Sequence, residues 1–320
     1  MIEHALSLLK QGELVAIPTE TVYGLAGDAA NPDAVRKIFT LKGRPANHPV
    51  IVHIYGQAQL ADWAQDIPDI AYQLADAFWP GPLTLILKKH NRVSDLLSGG
   101  QDSIGLRAPN HPLTQQLLQH FGGGLAAPSA NRFGHVSPTT AQHVQMEFGE
   151  RSPLIIDGGP SHVGLESTII SLLSDTPILL RPGSISPAQI GAVLQRPITI
   201  QSPKTSPINV RAPGLLDSHY APHTPLILGT LPELIAKVAK HPDEKVVFIH
   251  YSVLPIALST TLPCLSMPFD NATAYAQALY ATLRHADHCA AKWIGLEKPP
   301  HDSAWLAIND RLRRAASIWI

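Results

Sequence analysis

The chain has 320 residues, 45% of them hydrophobic and 15% charged, with 24 Lys and Arg against 25 Asp and Glu for a net charge of −1. At about 150 residues per domain, this length predicts two domains with real cores, and the low charge excludes a disordered chain or a solvated coiled coil. The even charge balance excludes bulk adhesion to nucleic acid or anionic lipid, and two cysteines outside any CxxC spacing, Cys264 and Cys289, exclude a disulfide scaffold and read as buried thiols of a reducing compartment.

In chain order, residues 2–11 read as a helix with Ala5, Leu8 and Leu9 on one face. This start carries Glu3 and lacks the basic end and apolar run of a signal peptide. With no run of about 18 apolar residues anywhere, the expectation is a soluble, cytoplasmic protein without membrane attachment. Leu14 to Pro18 is an apolar strand. Asp33 to Leu41 is a helix with Asn31 as cap and Pro32 in its first turn. Val50 to Ile54 is a buried strand, and Ile67 to Phe78 a helix stopped by Trp79-Pro80-Gly81-Pro82. Strands follow at Leu83 to Lys88 and Ser103 to Arg107, then a helix at His111 to His120. Short strands at Gly124 to Pro128, Leu154 to Asp157, Ser167 to Leu172 and Ile178 to Arg181 precede a helix at Ser186 to Leu194. The irregular alternation predicts an open, mixed, twisted α/β sheet within residues 1–200. Ser202 to Pro225 holds five prolines and no period, and reads as a linker, 201–225, of a length often found in lids. The remainder, 226–320, predicts a small parallel α/β domain. Its strands are Leu226 to Leu228, Lys245 to His250 and Cys264 to Met267. Its helices are Leu231 to Lys240, Ala272 to His288 and Trp305 to Ser317, the last with a basic stripe at Arg311, Arg313 and Arg314. It has no GxGxxG and no P-loop.

The chemistry-bearing residues cluster at strand ends. Thr19-Glu20-Thr21 and Tyr23-Gly24 follow the first strand, where the polar groups of an α/β sheet face a ligand crevice. The same run also reads as a strand end with a cap and a turn. Lys42-Gly43-Arg44 offers a point charge and a planar fork suited to a polyphosphate, with His48 and His53 nearby. The bland reading is a basic turn closing a helix, and the nearby histidines favour the anion or nucleotide site. Arg107 closes an apolar strand and needs a counter-ion, either a ligand carboxylate or an acid such as Asp102. Ala127-Pro128-Ser129-Ala130-Asn131 allows close backbone approach and offers uncharged polar groups, without the GxSxG of a serine hydrolase. Ser137 or Thr139 would cap the helix around Gln142. Ser167, Arg181 and the linker residues His219 and Tyr220 complete the set. The 16 histidines include no HExxH or HxH pair, so no metal cage is expected.

The runs PTETVYGL, KGRPANHPVIVHI, SIGLRAP, APSAN, VSPTT, GLESTII, LRPGSIS and SHYAPHTP occur in this order. Together they resemble the YrdC family in its long, two-domain form, the L-threonylcarbamoyladenylate synthases. One departure is Leu25-Ala26-Gly27-Asp28, where the family often has glycine at Ala26; here it falls at Gly27, with a slightly altered turn expected. The resemblance implies a twisted mixed sheet followed by a Rossmann-like domain. It also implies a nucleotidyltransferase that joins L-threonine, bicarbonate or CO2, and ATP, with release of pyrophosphate. The product serves threonylcarbamoyl-adenosine formation beside the tRNA anticodon, through downstream transfer machinery. Carried over motif by motif, Lys42 and Arg44 are the catalytic cations on the ATP phosphates. His48, Ser103, Ser129, Asn131, Ser137, Arg181 and Tyr220 complete the ATP set. Thr21, His53, Arg107, Ala127 and Ser167 hold threonine, with Arg107 on its carboxylate. Mg2+ accompanies ATP without an assigned protein ligand. The linker would cover the site, anchored by residues 226–320. The competing readings are a YrdC-type binding module without turnover and a carbamoyl-transfer domain of the hydrogenase-maturation type. The latter carries Cys clusters and an acylphosphatase-like region that this sequence lacks.

Overall fold

A computed structural model describes residues 1–200, 210–214, 220–254, 263–268 and 271–320. The linker residues 201–209 and 215–219, among them Ser218 and His219, lie outside the described residues. The chain divides into two compact units, Met1–Phe133 with Pro138–Leu215, and Gly134–Ser137 with Leu216–Ile320.

The first unit is built on a mixed sheet. Its strands are β1 (Val15–Ile17), β2 (Gly24–Asp28), β3 (Ile51–His53), β4 (Leu83–Lys88), β5 (Ser103–Arg107), β6 (Leu125–Ala126), β7 (Leu154–Ile155), β8 (Thr168–Ser171), β9 (Ile178–Arg181) and β10 (Thr199–Ile200). Their order is β10-β9-β8-β4-β5-β3-β6-β2-β1-β7. Six of its helices are α1 (Ile2–Lys10), α2 (Pro32–Lys42), α3 (Asp69–Phe78), α4 (Pro112–Phe121), α5 (Ala141–Phe148) and α6 (Pro187–Leu194). Parallel pairs such as β3 with β5 and antiparallel pairs such as β4 with β5 give the mixed sheet that the pattern predicts.

Local chemistry explains the helix ends. Asn31 Oδ1 accepts from the backbone N–H of Asp33 at 2.9 Å, which with Pro32 starts α2. Gly43 ends it in the left-handed region at φ +63°, so the chain turns sharply between Lys42 and Arg44. The cap of α5 is Thr140, whose hydroxyl accepts from the His143 N–H, rather than Ser137 or Thr139. Residues 24–28 form strand β2 where a turn was expected. A Cβ at Gly27 would stand 2.9 Å from Leu14 Cδ2 and 3.3 Å from Ile38 Cδ1, so glycine there admits the close approach of α2.

The alternation of β3, β4 and β5 sorts their side chains onto two faces. Val52, Leu83, Leu85, Leu87, Ile104 and Leu106 enter the main core. On the opposite face, one apolar cluster holds Leu125, Ala127 and Ile17 beside α1 and α4, and another holds Ile51, Ile86 and Ile169. Register places the polar residues His53, Thr84 and Arg107 on this second face, alongside Ile51 and Ile86.

The second unit carries β11 (Leu226–Gly229), β12 (Val246–His250), β13 (Cys264–Ser266), β14 (Trp293–Glu297) and β15 (Ile318–Trp319), all parallel, in the order β13-β12-β14-β11-β15. Three of its helices are α7 (Leu231–Lys240), α8 (Ala272–Asp287) and α9 (Leu306–Ala315). The parallel character agrees with the expectation for 226–320. The arginines of α9 do not form a surface stripe: Arg311 and Arg314 are buried against Asp310, and Arg313 alone of the three is exposed. Cys264 and Cys289 are each only partly buried, not core thiols. No helix among the described residues is long and apolar enough to cross a membrane.

Candidate active site

In the first unit, the residues after β1 form a turn closed by hydroxyls. Thr19 Oγ1 donates to the Val22 carbonyl at 2.6 Å, accepts from the Thr21 and Val22 amides, and stands 2.8 Å from the buried Thr21 hydroxyl. The turn delivers Glu20 into the interior. Glu20 Oε2 lies 2.7 Å from Arg107 Nη2 and accepts from the Asn110 N–H, while Oε1 is buried without a partner among the described residues. Arg107 Nε donates to the Gly81 carbonyl, and its Nη2 meets Glu20 as a close ion pair without hydrogen-bond alignment. The acid opposite Arg107 is therefore Glu20, not Asp102.

His53 pairs in register with Arg107 across β3 and β5. It is 3% exposed, and neither ring nitrogen has a partner among the described residues. Burial, with the Arg107 charge adding to it, holds the imidazole well below its usual pKa of 6.5, so the ring is neutral at neutral pH. Buried polar atoms are normally hydrogen-bonded, so the two imidazole nitrogens leave hydrogen-bonding capacity unused among the described residues, beside the Arg107–Glu20 pair. Ala127 follows β6 on the same face; its N–H already donates to the Ile51 carbonyl at 3.1 Å.

A second group gathers at the end of α2. Lys42 is buried, and its Nζ donates to the carbonyls of Ser129 (2.6 Å) and Asn131 (2.5 Å). Burial and the neighbouring Arg44 push its pKa well below the ordinary lysine value. Arg44 donates to the Pro49 carbonyl at 2.6 Å and lies over the Phe133 ring at 5.6 Å. His48 meets the edge of the same ring at 5.2 Å; burial and then Arg44 lower its pKa. The Ser129 loop is held by hydrogen bonds to β2 and the residue before it: Leu25 N–H to Pro128 O, and Ala130 N–H to Tyr23 O. Lys42, Arg44, His48, Ser129 and Asn131 thus form one cationic corner around Phe133.

A third group joins β8 and β9. Ser167 Oγ lies 2.7 Å from Thr84 Oγ1, and the Arg181 guanidinium donates to the Ser167 carbonyl at 2.9 and 3.1 Å and to its hydroxyl at 3.2 Å. Arg181 also donates to the carbonyl of Pro213, within the proline-rich segment. Ser103 opens β5 on the face of Arg107, about 13 Å away at the usual strand rise. Ser137 and Tyr220 belong to the second unit.

Sequence reasoning gave Glu20, Thr84 and Phe133 no role. Glu20 was visible as a carboxylate inside the first polar run, but its partner is 87 positions away in the chain. Phe133 had no signal beyond its closeness to Asn131.

Among the described residues, no group of three or more His, Cys, Asp or Glu stands close enough to hold a metal ion. The arrangement offers buried basic side chains, hydroxyls and an imidazole, a set suited to binding anions and a small polar substrate.

The Sua5/YciO/YrdC family, described under the heading of telomere recombination, matches residues 7–183, and the threonylcarbamoyl-AMP synthase C-terminal domain matches residues 185–317. The chain is 39% identical to a threonylcarbamoyl-AMP synthase of Bacillus subtilis, covering 98% of this chain and 92% of that one. It is 38% identical to the synthase of Pyrococcus abyssi, over 98% and 94% of the two chains. The crystal structure of P. abyssi Sua5 complexed with L-threonine superposes with a TM-score of 0.90 at 37% identity, covering 100% of this chain and 96% of that one. With both domains matched in order and nearly the full length covered, the chain belongs to the two-domain threonylcarbamoyl-AMP synthase family.

Proposed function

We propose that the protein condenses L-threonine, CO2 or bicarbonate, and ATP into threonylcarbamoyl-AMP and pyrophosphate. The threonine amine adds to CO2 and loses a proton, giving a carbamate. A carbamate oxygen attacks the α-phosphorus, the bond to the β-phosphate oxygen breaks, and pyrophosphate departs with the electron pair. The work asked of the protein is positioning and charge neutralisation.

In this reading His53, Arg107, Thr21, Ser167 and the Ala127 backbone receive threonine. The Ala127 N–H is committed to Ile51, which leaves its carbonyl for that role. Arg107 keeps Glu20 as its permanent counter-ion and offers its remaining donors to the substrate carboxylate, so the site is nearly neutral before threonine arrives. Lys42 and Arg44 take the phosphates, with His48, Ser103, Ser129, Asn131, Ser137, Arg181 and Tyr220 assigned to the nucleotide. The reading is supported most directly by His53: a neutral imidazole with both nitrogens orphaned, one strand away from a buried arginine. ATP brings Mg2+ as a counter-ion held by its own phosphates and water. The product passes to a threonylcarbamoyl transfer machinery that modifies tRNA, in the cytosol, with no strong nucleic-acid binding by this chain itself.

The test is pyrophosphate release by the purified protein, with threonine or bicarbonate omitted in turn. Release that needs both, together with a product of the mass of threonylcarbamoyl-AMP, establishes the reading. Release without threonine, or binding of ATP and threonine without turnover, overturns it.

A further inference from the structure

Gly134–Ser137 lies in the sequence between Phe133 and α5 of the first unit, yet it belongs to the second. Two contacts within that unit hold it. On one side it runs beside the end of the linker: His135 bridges Ala221, the Ala221 N–H donates to the Gly134 carbonyl at 2.9 Å, and the His135 and His223 rings meet at 4.3 Å. On the other side the Arg284 guanidinium of α8 donates to the Val136 carbonyl and, at 3.4 Å, to the Ser137 carbonyl. One turn further along α8, the Asp287 carboxylate accepts the N–H groups of His223 and Thr224 at 2.9 and 2.7 Å. Both strips of backbone therefore rest on one end of one helix.

We propose that Arg284 is a positioning residue for ATP binding: it fixes the backbone of Val136 and Ser137, and so the Ser137 hydroxyl. This rests on the reading above, in which Ser137 serves the nucleotide. An arginine fork fits the task because it reaches two successive carbonyls at once, which the single ammonium of a lysine does only in part.

The experiment uses the full chain with Arg284→Met, Arg284→Lys and Ser137→Ala. It measures KM for ATP, KM for threonine and kcat in pyrophosphate release, with amide exchange of residues 135–137 and the unfolding midpoint alongside. Charged hydrogen bonds of this kind lead us to expect Arg284→Met to raise KM for ATP about tenfold, as Ser137→Ala does. KM for threonine should stay within about twofold, exchange at 135–137 should speed up, and Arg284→Lys should recover part of the loss. If Ser137→Ala weakens ATP while Arg284→Met does not, the positioning role is wrong and the reading of Ser137 stands. If Arg284→Met shifts both KM values and the unfolding midpoint together, the arginine is structural only, and the inference falls. If Ser137→Ala leaves ATP binding intact, the reading of Ser137 fails and takes the inference with it.

Discussion

Glu20 is the buried carboxylate paired with Arg107 in the first unit. It neutralises Arg107 in an interior where an unpaired guanidinium is costly, and removing one member of a buried pair costs about 3 to 5 kcal/mol. Glu20→Ala should therefore lower the unfolding free energy by about 3 kcal/mol in urea titrations, while Glu20→Gln, which keeps an acceptor, should cost less. His53 sets a pH dependence. Its folded pKa lies below the ordinary 6.5, so the unfolded chain binds the extra proton first; the stability it contributes is full above about 6.5 and is lost as the pH falls. His48 and His111 are shifted the same way. The unfolding midpoint should drop as pH is lowered from 7 towards 5, and His53→Asn should flatten that slope. Lys42→Met removes one of the two proposed catalytic cations, and kcat/KM for ATP should fall about 100-fold in steady-state pyrophosphate release. Most of these positions could be read from sequence because polar side chains at the ends of apolar strands are conspicuous. The pairing of Arg107 with Glu20 could not, because it depends on which strands become neighbours.

At the scale of elements, the helices and the apolar strands were legible: Leu83–Lys88, Ser103–Arg107 and Ile178–Arg181 form as the residues suggest. Four strands escaped: the two-residue edge strands Thr199–Ile200 and Ile318–Trp319 are too short to carry a pattern, and two longer ones escaped for different reasons. Gly24–Asp28 contains two glycines, which weaken local strand preference; it forms because β1 and β6 supply ladders on both sides. Trp293–Glu297 is central in its sheet, buried on both faces, and so shows none of the alternation that marks a half-exposed strand. Gly27 is also a test of packing. Gly27→Val should destabilise by about 1 to 3 kcal/mol, since its Cβ alone already stands 2.9 Å from Leu14 in a filled space, and thermal unfolding would register it.

At the scale of the whole molecule, each unit has a core of its own. One is built on Leu85, Leu106 and Val52, the other on Phe248, Trp293 and Val246. Calorimetric unfolding should therefore depart from a single two-state transition, with the van't Hoff enthalpy below the calorimetric one. A division into two domains was legible from length and from the proline-rich break. The membership of Gly134–Ser137 was not, because four residues carry no compositional mark of the unit they join. That membership bears on synthesis. The ribosome delivers these four residues long before the strands and helices of their own unit, so they must wait, unpaired with α8, while the rest of the chain emerges. β1 likewise waits for β7, more than a hundred residues later. Only the Ser137 loop is thus left to the arrival of the last third of the chain, and a nascent chain halted before α8 would present it without the arginine that fastens it.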